Sequence, residues 1–340
     1  VRLAIPLCFA LLASTIAATP AHADGKPRHR LRLATVAPDG THWSRELRAF
    51  AREVFEATHG DVEVKWYLGG IAGTEEEMRA RIARDQLDGV ASGGPVCQAV
   101  SPAFRVLTMR GLFQNREEAA QVMTRMKPTL DREFASAGFR FIGSTALGPE
   151  MAFLRKEVRS FDELRRLRLW MWADDPGHVA ISRDIGMTIV ATPLAETLRR
   201  LEAGELDGLI TTPTALIAYQ WTPVVRAVVA LPLSFDWGCL VVTSRAFDRL
   251  PVEAREAILS AAAKAAARIN AAGQHDDELL LGGVFARSGV RVIPASESMR
   301  AQFLAAARAA RERLSPEALS PERLREVQAM LADYRAEHTR

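Results

Sequence analysis

The feature that most constrains this chain is a unit that occurs twice. Residues Met78 to Gln86 form a charged helical segment that runs into Leu87-Asp88-Gly89, then Val90-Ala91, then Ser92-Gly93-Gly94-Pro95. Much later, Thr197 to Glu205 runs into Leu206-Asp207-Gly208, then Leu209-Ile210, then Thr211-Thr212-Pro213. Each copy reads as helix, turn, short buried strand and polar strand end. The glycine of each turn is expected to supply the left-handed cap after its helix. Two copies of one joint predict two α/β lobes built on one plan.

The rest of the pattern fits that plan. Leu31 to Val36 reads as a strand, Thr41 or Ser44 opens a helix to Thr58, and Val62 to Tyr67 alternates as a second strand. Thr74 with Glu77 is a capping box, in which hydroxyl and carboxylate satisfy the free amides of a new helix. Strand and helix in alternation argue for crossover units and a largely parallel sheet. Val224 to Ser244 returns as a buried strand. Helices over Pro251–Ala272 and Glu297–Arg313 follow, with a strand at Val290–Ile293 between them. The expected division is residues 24–142 plus 223–265 for lobe I, and 143–222 plus 266–340 for lobe II and the C-terminal helices. A chain that crosses between lobes more than once makes a hinge.

The N-terminus predicts export. Arg2, the apolar run Leu3–Ala18 and the small-residue pattern Ala21-His22-Ala23 make a signal peptide over residues 1–23, cut after Ala23. Cys8 lies inside the apolar run, not at the start of the mature chain, which argues against a lipid anchor. The remaining cysteines, Cys97 and Cys239, are either a disulfide permitted by an oxidising compartment or two buried thiols.

Charge excludes some partners. The net charge of +3 comes from 44 basic and 41 acidic residues, interleaved on helical segments without the basic stripe that nucleic acid requires. The run from Arg311 to Arg340 reads as a solvated helix face, as does His275-Asp276-Asp277-Glu278, where consecutive helical residues point apart and so do not converge on a metal. No cofactor motif, phosphate loop, zinc-protease motif or nucleophile elbow is present. Neither an enzyme nor a cofactor is predicted.

In open parallel sheets, ligands meet the carboxyl ends of strands. That rule selects His42 and Trp43, Ser92 with Gly93 and Gly94, the segment 168–176, and Thr211 with Thr212. On a strand, Arg168, Trp170 and Trp172 share one side, so a guanidinium and two indoles can floor a site for a flat ligand. The plainer alternative buries both indoles in the core and leaves Arg168 in solvent. Asp236-Trp237 interrupts an apolar strand and is a further candidate, whereas His42 reads more plainly as a helix-start residue.

Several of these motifs resemble the TRAP-transporter periplasmic solute-binding proteins of the DctP type. They are Tyr67 to Glu75, Leu87-Asp88-Gly89, Gly111 to Ala119, Ser160 to Arg168 and Leu206-Asp207-Gly208, in order across nearly the whole mature chain. The resemblance implies a two-lobed periplasmic binding protein fold with hinge-crossing strands and a long spanning helix. It also implies delivery of a solute to small and large membrane subunits. One departure concerns the solute: Trp170 stands where the family usually presents a carboxylate-binding arginine. An aromatic or more apolar small organic solute, with at most one acidic group, is therefore expected. A periplasmic sensing module that signals to a membrane receptor is the alternative, and an exported hydrolase using Ser92 is a third reading that lacks a base.

Overall fold

A computed structural model describes residues 27–338; the signal peptide expected from the sequence lies outside them. No helix among the described residues is long and apolar enough to cross a membrane. Nine strands form one sheet: β1 (His29–Ala34), β2 (Val62–Tyr67), β3 (Gly89–Ser92), β4 (Phe139–Leu154), β5 (Leu169–Trp172), β6 (Ile189–Thr192), β7 (Gly208–Thr211), β8 (Ala227–Thr243) and β9 (Arg291–Pro294). Their order is β2-β1-β3-β8-β4-β7-β5-β6, with β9 also on β8.

Two parallel half-sheets flank a long antiparallel ribbon. β1 pairs β2 and β3 in parallel on one side, and β5 pairs β6 and β7 in parallel on the other. Between them, β4 and β8 run antiparallel through both halves. One end of β8 pairs β3 through Cys239–Val242, and its other end pairs β9 through Ala227–Ala230. The β4/β8 register shifts at Phe141/Gly143, Ala146/Gly148 and Glu150/Ala152, so the ribbon bends where the lobes meet. The 28-residue helix Val252–Leu279 lies against β4 and the helix His42–Ala57, and reaches the helix Pro213–Ala218 of the second half.

Both Leu-Asp-Gly joints form, for a reason other than the one expected. The left-handed residues after the two helices are Asp85 and Gly204, not the motif glycines. A Cβ at Gly89 would strike the Val241 carbonyl, and one at Gly208 would strike the Phe153 carbonyl. The glycines let β3 and β7 lie against the long ribbon. In each copy the Asp carboxylate takes the backbone N–H and forked guanidinium of an arginine on or just before the neighbouring strand: Arg32 of β1 on Asp88, and Arg168, immediately before β5, on Asp207.

The capping box at Thr74 is present, and the helix it opens runs Glu75–Ala83. Cys97 and Cys239 are disulfide-bonded, which joins the helix Pro95–Val100 to β8. Two segments expected to be solvated are partly buried. The C-terminal run breaks after Arg313 and resumes as the helix Pro321–His338, which packs on Pro102–Leu107 and Arg116–Ser136 through Val327 and Leu331. Arg311 is 9% exposed and donates to the Arg110 carbonyl. Asp277 is 4% exposed, ion-paired with Arg116, and set against Gly148 in the bend of β4. Local charge density predicted solvent at both places, but long-range partners were invisible to it.

Candidate functional site

The strand ends of both half-sheets converge on a cavity of about 180 Å³. Trp43, Trp170, Trp172, Tyr219, Trp221 and Trp237 give it a largely aromatic wall. Tyr219 stacks on Trp221 at 5.0 Å, and Trp221 meets Trp170 edge-on at 5.3 Å. These rings hold one another, so the wall is pre-organised. Trp170 is 3% exposed, and its indole N–H donates to the Thr192 carbonyl at 3.2 Å. It serves the core of the second lobe as much as the cavity. Trp172, two residues further along β5, is only partly buried, and its ring lies 3.3 Å from where a Gly93 side chain would begin. That contact brings the two half-sheets together over the cavity.

The remaining residues expected from the sequence divide. Trp43, Ser92, Gly93, Thr211, Thr212 and Trp237 line the cavity; Arg168, Gly94 and His42 do not. Arg168 corrects the expected floor: it precedes β5, its side chain is 47% exposed, and its fork is engaged by Asp207. A structural ion pair at the strand start therefore replaces the expected ligand grip. His42 opens the helix capped by Thr41. The amides near Ser92 are also committed. Gly93 and Val96 donate to Glu75 at 2.7 and 3.2 Å, Gly94 donates to the Ser92 hydroxyl at 3.0 Å, and that hydroxyl donates to Glu75. Burial raises the Glu75 carboxyl to about 7, against the pull of these donors. Thr212 caps the helix Pro213–Ala218 by accepting from Ala215 at 3.2 Å.

The cavity floor is a buried charge network in which Asp236 and Asp175 were expected from the sequence, whereas Arg110, Glu150 and His178 were not. Arg110, fully buried, donates to Glu150 at 2.6 Å, to Ser234 at 2.9 Å and to Ser182 at 2.8 Å. His178 pairs with Asp175 at 2.8 Å, and its other ring nitrogen meets the Thr108 carbonyl at 2.7 Å. Burial alone would lower the His178 pKa, but Asp175 outweighs it and raises it to about 9. Burial likewise opposes ionisation of Glu150, yet Arg110 and His178 hold its carboxyl below the ordinary range. Asp236 is the exception: burial, reinforced by Glu150, pushes its carboxyl well above that range. A lone arginine in the apolar run Val106 to Phe113 was the available signal for this network.

Glu150, His178 and Asp236 offer donor atoms within 4.8 Å of one another, a spacing a metal ion can use. Both ring nitrogens of His178 are engaged, however, and Glu150 already holds Arg110. The donor set does not fit a resident metal; it is a charge network. Among the described lining residues, His178 is the one cationic side chain, and its charge is matched by Asp175.

The profile of DctP, described as bacterial extracellular solute-binding protein, family 7, matches residues 33–315. A solute-binding protein of Verminephrobacter eiseniae is 24% identical over 255 residues, covering 73% of this chain and 74% of that protein. Among solved structures, the sugar acid binding protein DctPAm of Advenella mimigardefordensis, in complex with galactonate, superposes with a TM-score of 0.82 at 17% identity, covering 91% of this chain and 99% of that one. A TRAP periplasmic solute-binding protein of Desulfovibrio desulfuricans with bound sn-glycerol-3-phosphate gives a TM-score of 0.82 at 19% identity, covering 90% and 97%. These structures share the fold.

Proposed function

This chain belongs to the DctP family of bacterial extracellular solute-binding proteins, and from that premise we propose that it captures a small, largely apolar or aromatic solute in the periplasm and hands it to the small and large membrane subunits of a TRAP-type transporter. The observation that carries this reading is the aromatic cavity of about 180 Å³ between the strand ends of the two half-sheets. A cavity of that size accommodates a single ring with a short substituent.

Capture needs no covalent step. Solute enters between the lobes, the β4/β8 ribbon bends, and closure buries it against the indoles. Contacts between the two halves support a closed state. Asp174, just after β5, accepts the N–H of Glu75 at the start of the first-lobe helix at 3.0 Å, and Gln98 donates to Asp175 at 3.0 Å. Solute must supply enough differential affinity to favour this state over an open one.

Galactonate and glycerol phosphate, found with the two relatives above, are anions. An anion in this cavity would find no uncommitted cationic side chain among the described lining residues, which supports a different solute class. The sensing alternative gains no support from the family or these relatives. Native mass spectrometry of freshly purified protein tests the reading. A bound small molecule that leaves on denaturation is expected; a protein that carries none and is stabilised by no small solute would overturn it.

A further inference from the structure

We propose that the solute carries a protonated nitrogen, held between the Asp236 carboxylate and the aromatic wall of the cavity; this deepens the solute-receptor reading and rests on it. Asp236 lies on β8 in the cavity lining, and its carboxyl group makes no hydrogen bond or ion pair among the described residues. Its neighbours are already matched, Arg110 with Glu150 and His178 with Asp175. With every group ionised, the floor therefore carries one negative charge too many, and that charge is on Asp236. Burial, reinforced by Glu150, raises its proton affinity more than His178 and Arg110 lower it.

A second, independent gap lies beside it. Gln98 is 5% exposed and lines the cavity. Its amide nitrogen donates to Asp175, and its carbonyl oxygen has no donor. A buried acceptor without a donor costs about 1–3 kcal/mol, a cost that a solute N–H able to reach this oxygen would remove. A carboxylate on the solute would instead meet oxygen with oxygen.

The walls favour the same charge. Trp43, Trp172, Tyr219 and Trp237 surround the cavity, and indole and phenol faces attract an enclosed cation by about 0.5–2 kcal/mol each. The indole N–H of Trp237 is buried without an acceptor. The chemical class is thus a compact organic cation, an amine or amidine on a mainly apolar frame.

The test uses matched triplets of probes on several small frames, for example phenethylamine, 2-phenylethanol and 3-phenylpropanoate. Thermal shift at neutral pH selects the best frame, and calorimetry then compares wild type with Asp236→Asn. In the best frame the amine is expected to bind at least about tenfold tighter than the alcohol or carboxylate. Asp236→Asn should remove that preference while the alcohol keeps its affinity, which also shows that the variant is folded. A carboxylate or alcohol preference, or an amine preference that survives Asp236→Asn, overturns the cation assignment and leaves the receptor reading standing. If no probe on any frame binds, the cation assignment falls, and the native mass spectrum decides the receptor reading separately.

Discussion

Asp207 accepts three hydrogen bonds from Arg168: from its backbone N–H at 2.9 Å, from Nε at 3.0 Å and from Nη2 at 3.0 Å. The first lobe repeats this with Asp88 and Arg32 at 2.8, 2.9 and 2.9 Å. In both, the arginine also reaches the carbonyl of the left-handed residue that ends the preceding helix, Gly204 or Asp85. The sequence repeat is thus a repeated clasp between helix end and parallel strand. Arg168→Ala is expected to lower the melting temperature but leave solute affinity within about twofold. Calorimetry checks the affinity; a loss beyond tenfold would return Arg168 to the site.

The two motif glycines should be far less tolerant. Gly208→Ala places a methyl against the Phe153 carbonyl and the Leu154 backbone, where strand pairing gives no room. Overpacking of this kind costs about 1–3 kcal/mol or more. Urea unfolding should register that loss, and Gly89→Ala should match it against Val241.

Trp170 and Trp172 should separate stability from binding. Trp170→Ala removes a buried indole packed on Trp221 and is expected to cost about 3–5 kcal/mol of stability. Trp172→Ala removes a half-buried ring at the cavity and should weaken solute binding at least about tenfold with little change in melting temperature. Equal destabilisation by both variants would count against this assignment.

His178 predicts a slope of stability with pH. Its pKa is raised from 6.5 to about 9 in the folded state, so folded protein holds the proton more tightly than unfolded chain. The stabilisation is complete below 6.5 and is lost as pH rises through about 9. Glu75, raised from 4.5 to about 7, and Asp277, raised from 3.8 to about 7, add a fall in stability that starts at lower pH and is complete just above 7. Above 7 the fall comes from His178 together with Asp236, whose carboxyl burial also holds well above its ordinary range, so His178 supplies only part of the slope. His178→Gln should lessen it in urea melts run across that range.

Reducing the Cys97–Cys239 bond should destabilise the protein by about 2–5 kcal/mol, because it ties together points 142 residues apart. Denaturant melts with and without reductant, with thiols counted, check this. An unchanged midpoint with two free thiols would show that the bridge adds nothing.

What could be read in advance followed from how local each signal was. The capping box at Thr74, the strand Val62–Tyr67 and the helix Glu297–Arg313 depend on neighbours a few residues away. β4 escaped because Gly143, Gly148 and Pro149 interrupt its pattern, and it is buried by different partners at its two ends. β1 lies two residues earlier than the hydrophobic run suggested, because His29 and Arg30 pair with β2 at the sheet edge. At the site, the polar strand ends and most of the tryptophans were legible from composition and position. Arg110, Glu150 and Ser182 were not, since their meaning lies in contacts across 40 and 72 residues.

The long ribbon has a consequence for how such a receptor can change. Glu150 sits at a bulge of β4, and Asp236 faces the bend from β8, so in the proposed closure the strands that bend are those that carry the charges of the cavity floor. Recognition and motion share one stretch of backbone. A substitution there that retunes selectivity should also alter how long the occupied form persists before release. Capture tight enough to scavenge and release fast enough to sustain flux would then be set by the same few residues, and lineages that change their cargo should pay in turnover unless the ribbon adjusts with it.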